Sequence, residues 1–212
     1  MSAFIKTDFH VHPNYSFDAT HESIDDYCRR ALDLGLSQIC FTPHYTSLPI
    51  VIEKFGYVRK NGQKFPVTGD WLSEYIEEAR SADRKFSKKG LRVFSGLEID
   101  YDNDIHDALK KRLTVEHKLD YMLGSVHIVH DGLDIMVPGD AGDIFGKMSI
   151  NAFFDIYFAN VEKIIDSGLF KCIAHLEGYR RFGTRVNPEY GDPALIPFIR
   201  LERVFKKMAK NS

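Results

Sequence analysis

Five short apolar runs, separated by segments with helical periodicity, are the feature that most constrains how this chain can fold. The runs span 3–9, 38–42, 91–97, 121–126 and 171–174. Each has the length of a strand, and strands that alternate with helices form βα units around a parallel sheet or barrel. The sequence therefore predicts an α/β fold.

Between these runs, apolar residues recur at helical spacing. In 22–34, for example, Ile24, Cys28 and Ala31 share one face, and Gly35 ends the segment. The other predicted helices span 70–90, 104–117, 149–165 and 193–210. Because no linker, repeat or low-complexity stretch separates these elements, we predict a single domain over 1–212.

The segment 45–69 has no clear period and contains several turn residues. A loop of this length inside a compact domain is often an active-site lid or a substrate loop, which is the role we expect for it. Its basic residues could meet a phosphate, although loop lysines more often serve only solubility. They are Lys54, Arg59, Lys60 and Lys64.

The composition excludes several classes of protein. Hydrophobic residues make up 44% and charged residues 27% of the 212, with a formal net charge of −2, so neither a disordered chain nor a nucleic-acid-binding one is expected. No apolar run approaches the roughly 18 residues of a membrane span, and no signal-peptide pattern opens the chain. The separated cysteines Cys28, Cys40 and Cys172 predict reduced thiols and a cytoplasmic location.

Polar side chains with metal-binding chemistry follow each predicted strand. Because the carboxyl ends of parallel strands meet on one face of such a fold, these side chains should converge there. They are His10 and His12 after the first strand, His44 after the second, Glu98 after the third, His127 after the fourth and His175 after the fifth.

Each of these residues has a simpler explanation when it is considered alone. A single strand-end histidine is more often a hydrogen-bonded structural residue than a ligand, and Glu98 could merely serve a helix N-terminus. Burying all of them together without a shared cation would be costly, so we favour a site for several metal ions. Mixed imidazole and carboxylate ligands suit Zn, Fe or Mn. The remaining histidines are expected to be surface or local structural residues; they are His21, His106, His117 and His130.

The same residues carry a family resemblance. The motifs are DFHVHPNYSFD from Asp8 to Asp18, FTPH ending at His44, GLEID around Glu98, GSVH ending at His127, and AHLEGYRRFG from Ala174 to Gly183. In this ordered set the chain resembles the PHP (polymerase and histidinol phosphatase) family, and within it the histidinol-phosphate phosphatases. The resemblance implies a distorted seven-stranded (β/α) barrel related to the TIM barrel.

The resemblance also implies roles for these residues around two to three divalent metal ions. His10, His12 and Glu98 would hold one metal, and Glu98 would bridge to a second, which His127 and His175 complete. Asp18 and His44 would hold a third. Glu98, His10 and His12 would form the catalytic centre, where a metal-activated hydroxide attacks phosphorus. His44, together with Arg180 or Arg181, would contact the phosphate.

One part of the family pattern has no counterpart in this sequence. Members supply a further Asp and His after the last strand, whereas no histidine follows His175, and only five strands are recognisable. Such a chain would expose a sheet edge, so we expect a barrel that is incomplete at its C-terminus. Truncation, a partner chain that completes the barrel and a variant that has lost ligands all stay open, and truncation is favoured.

The function that the resemblance implies is hydrolysis of L-histidinol phosphate to L-histidinol and phosphate, a step of histidine biosynthesis. Two alternatives stay open. One is a PHP phosphoesterase that acts on another small phosphomonoester or a nucleotide. The other is a catalytically incomplete relative that binds metal or a phosphorylated ligand without turnover. The expected partner is a small phosphorylated substrate, with neither nucleic acid nor membrane, and an oligomer is compatible with the sequence.

Overall fold

The computed structural model describes residues 6–19, 21–192, 195 and 197–210. They group into two compact units. The first comprises Met1–Ile99 and Asp107–Leu123, and the second comprises Asp100–His106 and Gly124–Ser212. The single domain over 1–212 stays a prediction.

The described elements alternate between strands and helices, as the sequence predicts. The strands are β1 (Thr7–Val11), β2 (Gln38–Phe41), β3 (His44–Tyr45), β4 (Tyr57–Lys60), β5 (Gln63–Pro66), β6 (Arg92–Asp100), β7 (Tyr121–Ser125), β8 (Ile128–His130), β9 (Leu133–Asp134) and β10 (Cys172–Ile173). The α-helices are α1 (Ile24–Asp33), α2 (Pro49–Phe55), α3 (Trp71–Phe86), α4 (His106–Lys110), α5 (Pro138–Lys147), α6 (Ile150–Ser167), α7 (Arg180–Val186) and α8 (Phe198–Lys210).

The sheet of the first unit has the order β1-β2-β6-β7, and the short β3 also pairs with β6. The pairings of β1 with β2, and of β6 with β2 and β3, are parallel, which confirms the predicted α/β fold. Tyr75 on α3 anchors this sheet because its hydroxyl lies 2.7 Å from the Phe41 carbonyl oxygen and 2.8 Å from that of Gly96, so its one hydrogen is shared between two neighbouring strands. Burial raises the pKa of the Tyr75 hydroxyl well above its usual range, so it remains a donor.

The five predicted strands correspond to β1, β2, β6, β7 and β10, with shifted ends. The run 3–9 begins outside the described residues, and β1 continues to Val11. The third run extends to Asp100, so Glu98 lies inside β6 and not after it. Likewise His10 lies inside β1, and His44 opens the separate strand β3. A run of apolar residues marks a strand's centre, but polar side chains that face a site do not end the strand.

The segment 45–69 is more ordered than the loop that the sequence predicts. It contains α2, which begins with Pro49 at its first position, and the antiparallel hairpin of β4 and β5. Asn61 and Gly62 form the two-residue turn with φ of 49° and 75°. An Asn-Gly pair is a strong signal for such a turn, and we missed it because the flanking strands are largely polar.

Other helices differ from the predicted ones in detail. The predicted helix 104–117 is a 3₁₀ turn, then α4, then a π-helical stretch over Lys111–Glu116. The helix α5 was not predicted, because three glycines dilute its periodicity. The final helix begins at Phe198, and the predicted start at 193 lies outside the described residues.

In the second unit, β10 lies beside the end of β7, where the Ala174 N–H donates to the Gly124 carbonyl at 2.9 Å. The helix α6 packs closely here, since a Cβ on Gly124 would lie 2.3 Å from Ile164. The apolar face of α6 is rich in buried aromatic residues, among them Phe153 and Tyr157. Ion pairs join α8 to α6, for example between Arg203 and Glu162 at 2.8 Å.

Two further expectations can be compared with the described residues. The three cysteines form no disulfide there. The longest described helix, α6, has 18 residues, and no described helix has the apolar length needed to cross a membrane. The seven-strand count and the C-terminal incompleteness stay predictions.

Candidate metal centre

The end of β1 carries two histidines of the first unit. His10 lies in β1 and His12 just beyond it, and side chains two positions apart on an extended chain point to one side. The strand end is fixed because the Val11 N–H donates to Thr42 Oγ1 at 3.1 Å and the Thr42 N–H donates to the Val11 carbonyl at 2.7 Å. The Nε2 atoms of His10 and His12 lie 3.1 Å apart.

Glu98 on β6 is the carboxylate around which these imidazoles gather. Its side chain is 1% exposed, and its Oε2 lies 3.0 Å from His10 Nε2 and 2.9 Å from His12 Nε2. The pairing of β3 with β6 places His44 opposite Glu98, and His44 Nδ1 is 3.3 Å from the same oxygen. One carboxylate oxygen therefore faces three imidazoles.

Asp18 completes this group from its more exposed side. Its carboxylate is 3.3 Å from His12 Nδ1 and 3.5 Å from His44 Nε2, and it accepts a hydrogen bond from Ser16 Oγ at 2.7 Å. Burial acts to raise the pKa of Asp18, but hydrogen bonds to His12 and His44 hold it far below its usual range. Burial acts to lower the pKa of His12, yet Asp18 and Glu98 outweigh it and raise this pKa to about 9.

These five residues are called the first cluster: His10, His12, Asp18, His44 and Glu98. A strained turn shapes the chain between two of them. Tyr15 has a φ of 83°, is fully buried, and donates from its hydroxyl to Glu78 at 2.5 Å. A left-handed non-glycine residue costs about 1–3 kcal/mol and persists only where its surroundings hold it. This turn returns Asp18 towards His12.

The second unit contains a smaller group of the same chemistry. His127 follows β7 and His175 follows β10, and their Nε2 atoms are 3.1 Å apart. The other ring nitrogen of His127, Nδ1, is 2.9 Å from Oδ1 of Asp100, the last residue of β6. Asp100, His127 and His175 are called the second cluster.

Gly178 explains part of the motif that surrounds His175. The Gly178 N–H donates to the His175 carbonyl at 2.7 Å, which folds the chain back over the ring. A Cβ at position 178 would lie 2.8 Å from His175 Nδ1, so a side chain there would displace the imidazole. The glycine of the motif therefore leaves room for the predicted ligand.

The spacing of these atoms can be tested against a bound metal ion. Two imidazole nitrogens about 2.0–2.1 Å from one tetrahedral zinc ion lie about 3.3–3.4 Å apart. The observed separations of 2.9 to 3.1 Å within His10, His12 and Glu98, and of 3.1 Å between His127 and His175, are close to this. Within the first cluster, His10, His12 and Glu98, and likewise His12, Asp18 and His44, each offer ligand atoms within 4.8 Å of one another. The donor sets fit a divalent cation of the Zn, Fe or Mn kind.

The two arginines predicted near a phosphate have different surroundings. Arg180 opens α7, with Nη1 3.1 Å from Glu177 and Nη2 donating to the Gly191 carbonyl at 3.1 Å. Arg181 is exposed, and its guanidinium lies 5.3 Å from the ring centre of Phe182. Their roles at a phosphate stay predictions.

The basic residues of 45–69 have contacts within the first unit. Arg59 donates from Nε to the Phe17 carbonyl at 2.9 Å, and Lys60 pairs with Glu74. Lys54 and Lys64 lie over aromatic rings. These contacts support the turn and the hairpin, and a role at a phosphate stays a prediction.

Four histidines are predicted to be surface or local structural residues, and their positions differ. His21 and His117 are exposed or half-buried, outside both clusters. His106 has a local partner, because its Nδ1 is 2.9 Å from the Tyr101 hydroxyl. His130 lies in β8, and its side chain lies outside the described residues.

Sequence reasoning missed Asp100 as part of a site. It stands two positions after Glu98 in the GLEID motif, so the motif itself contained the signal. Residues two apart on a strand share a side, but the predicted strand ended at 97 and the alternation was not followed further.

The chain matches a family model and a curated protein. The family model of the PHP domain matches residues 8–198. A protein of Deinococcus radiodurans named "Probable histidinol-phosphatase" is 30% identical over 180 residues, which cover 83% of this chain and 62% of that protein. The chain thus spans less than two thirds of the length of this curated relative.

Two solved structures have a similar fold. A histidinol phosphate phosphatase from Lactococcus lactis, crystallised with zinc, L-histidinol and phosphate, has a TM-score of 0.69 at 19% identity, covering 97% of this chain and 68% of that one. A histidinol-phosphatase candidate from Listeria monocytogenes has a TM-score of 0.74 at 16% identity, covering 97% of this chain and 79% of that one. At these identities the likeness shows the fold.

Proposed function

The chain belongs to the PHP domain family, and from this premise we propose that it is a metal-dependent phosphomonoesterase that hydrolyses L-histidinol phosphate. The observation that carries the proposal is the buried Glu98, whose Oε2 meets His10 and His12 within 3.0 Å. A buried carboxylate that shares one oxygen between imidazoles is suited to neutralise and hold a cation.

The residues of the two clusters would hold two to three divalent ions. His10, His12 and Glu98 would hold one ion, and Asp18 with His44 would hold another. His127 and His175 would hold an ion in the second cluster, and the bridging role of Glu98 towards it comes from the family resemblance. When bound, such ions polarise a phosphoryl oxygen and lower the pKa of bound water to near neutrality.

The protein's own side chains would prepare this chemistry. Glu98 and Asp18 offset the positive charge that several cations bring together, which limits their mutual repulsion. Asp18, whose pKa lies far below its usual range, is ionised at neutral pH and so available as a ligand. The ring of His44 is fixed by stacking on Phe17, with ring centres 4.7 Å apart, so its nitrogens keep their direction. Arg180 or Arg181 would supply a guanidinium to the phosphate.

The substrate is proposed from the relatives, since the Deinococcus protein is named for histidinol phosphate hydrolysis and the Lactococcus structure contains L-histidinol and phosphate. The test is phosphate release by the purified chain, after loading with Zn²⁺ or Mn²⁺, from histidinol phosphate, nucleoside monophosphates and a generic aryl phosphate. We expect histidinol phosphate to have the highest kcat/KM.

Each other outcome of this test excludes part of the proposal. Higher kcat/KM with a nucleotide would assign a different substrate to the same chemistry. Bound metal, counted by elemental analysis, without turnover of any ester would indicate a binding protein instead of an enzyme.

A further inference from the structure

A carboxylate lies behind one of the proposed metal ligands of the second cluster. Asp100 Oδ1 is 2.9 Å from Nδ1 of His127. Both residues are buried, with 9% and 4% of their surfaces exposed. The ligand roles that the family resemblance implies do not include Asp100, and its contact is with Nδ1 of His127, whereas Nε2 faces His175.

The two ring nitrogens of His127 have different neighbours. Nδ1 faces Asp100, whereas Nε2 lies 3.1 Å from Nε2 of His175. A neutral imidazole has one N–H and one lone pair, and a carboxylate can only accept a hydrogen bond. A proton on Nδ1 therefore satisfies Asp100 and leaves the lone pair on Nε2, directed to the same place as His175.

Ser125 also lies near Nδ1, with its Oγ at 3.4 Å. A hydroxyl can donate as well as accept, so it is compatible with either tautomer and cannot choose between them. The contact with Asp100 is shorter and involves a charged acceptor, which makes it the stronger of the two. The main chain of His127 is held separately, because its carbonyl accepts from the Ile135 N–H at 2.9 Å.

We propose that Asp100 is a positioning residue that fixes His127 in the Nδ1–H tautomer, so that Nε2 is presented as a metal ligand together with His175. The proposal rests on the proposed function only in taking His127 and His175 as ligands of one ion. Carboxylates placed in this way orient the ring and raise its basicity, and their loss typically weakens metal binding about 10- to 100-fold.

The first test determines the tautomer of His127 and requires neither bound metal nor an activity assay. In the metal-free full chain at mildly alkaline pH, long-range ¹H–¹⁵N NMR distinguishes protonated from unprotonated ring nitrogens, and His127→Gln assigns the signals. We expect a proton on Nδ1 in the original protein and a shift towards the Nε2–H form in Asp100→Ala. Asp102→Ala is the matched control, because Asp102 lies two positions away and pairs with Lys163 at 3.0 Å; it should leave the tautomer unchanged. A proton on Nε2 in the original protein, or an unchanged tautomer in Asp100→Ala, would overturn the proposal.

The second test measures zinc affinity by competition with a chromophoric chelator. Asp100→Ala should weaken the affected site about 10- to 100-fold, and Asp102→Ala should not. Asp100→Asn is nearly isosteric and keeps an acceptor without the charge, so it should retain the fold and give an intermediate loss. If Asp100→Ala fails to fold, Asp100→Asn takes its place in both tests.

The two tests separate this proposal from the proposed function. A chain that has the Nδ1–H tautomer and the Asp100-dependent zinc affinity, but releases no phosphate, would refute the phosphatase and leave the positioning role intact. A chain that hydrolyses histidinol phosphate, but binds zinc equally well in Asp100→Ala and Asp100→Asn, would refute the positioning role alone.

Discussion

The first and second clusters use carboxylates on opposite sides of their imidazoles. In the first cluster, Glu98 Oε2 lies 3.0 and 2.9 Å from the Nε2 atoms of His10 and His12, among the atoms that would face a cation. In the second cluster, Asp100 contacts His127 at Nδ1, away from the Nε2 atom that faces His175. The same two groups, a carboxylate and an imidazole, therefore lie side by side towards the proposed ion in the first cluster, whereas in the second the carboxylate lies behind the imidazole.

This difference implies different consequences of losing a carboxylate. A carboxylate among the donor atoms contributes charge to the cation, so its removal should eliminate binding. A carboxylate behind the ring acts only through the imidazole, so its removal should weaken binding and leave the stoichiometry unchanged.

The largest expected effect is that of Glu98→Gln. The change keeps the shape of the side chain but removes the charge that faces His10, His12 and His44, so we expect kcat to fall about 10³-fold or more, equivalent to about 4 kcal/mol. The measurement is phosphate release under saturating histidinol phosphate, with circular dichroism to show that the fold persists. The control is His106→Asn. The described partner of the His106 ring is the Tyr101 hydroxyl, outside both clusters, so this change should leave kcat nearly unaltered. Retention of more than a tenth of the activity would contradict the placing of Glu98 among the ligands.

Metal counting separates the two clusters more directly. His12→Gln should lose the ions of the first cluster and keep the ion of the second, and His175→Gln should do the reverse. Elemental analysis after exhaustive dialysis gives the number of ions per chain, and His21→Gln serves as a control outside both clusters. If either variant lost every ion, the contrast between two separately organised clusters would be wrong.

The sequence predicted which polar side chains come together better than it predicted how they are arranged. Apolar runs that alternate with helical segments predict parallel strands, and the histidines lie at or just beyond the ends of those runs in the sequence. The pairing of β3 with β6, which places His44 opposite Glu98, depends on a two-residue strand with no apolar run of its own. The strained turn at Tyr15 also has no local signal, since glycine or asparagine is usual at a positive φ. Asp100 was missed because the predicted strand ended at 97, whereas β6 continues to Asp100.

The buried carboxyl group of Asp134, in the second unit, differs from that of Asp18 in the direction of its pKa shift. This carboxyl is 5% exposed, and burial raises its pKa from 3.8 to about 6, although the hydrogen bond from the Met136 N–H opposes the shift. Asp18 of the first cluster shows the opposite direction, since its imidazole partners lower its pKa. The two carboxyl groups should therefore affect stability oppositely as the pH rises.

The sign for Asp134 follows from its raised pKa. The folded state holds the proton more tightly than the unfolded state, so the favourable contribution is complete below pH 3.8 and is lost as the pH rises through about 6. Above that pH the buried carboxylate costs up to about 3 kcal/mol. Asp134→Asn should raise the free energy of unfolding of the metal-free protein by up to this amount at neutral pH, and by little near pH 4. Urea unfolding in chelator at both pH values measures this, with the exposed Asp143→Asn as control. An equal gain at both pH values would show that the benefit is not electrostatic.

The smallest expected effect concerns the two arginines that follow His175. Replacing each of them tests whether the second unit supplies a phosphate contact in addition to the proposed metal ligands. Arg180 is held by Glu177 and the Gly191 carbonyl, so Arg180→Ala should mainly lower the melting temperature. Arg181 is exposed and lies over Phe182, so its guanidinium can turn to a ligand at little cost. Loss of one charge-assisted hydrogen bond, about 1.4 kcal/mol, should raise KM about tenfold in Arg181→Ala with kcat and melting temperature unchanged.

A raised KM in Arg180→Ala alone would assign the phosphate contact to Arg180 instead of Arg181. Unchanged KM in both would restrict the proposed role of the second unit to holding a cation, and the contrast between the clusters would then lie in their carboxylates alone.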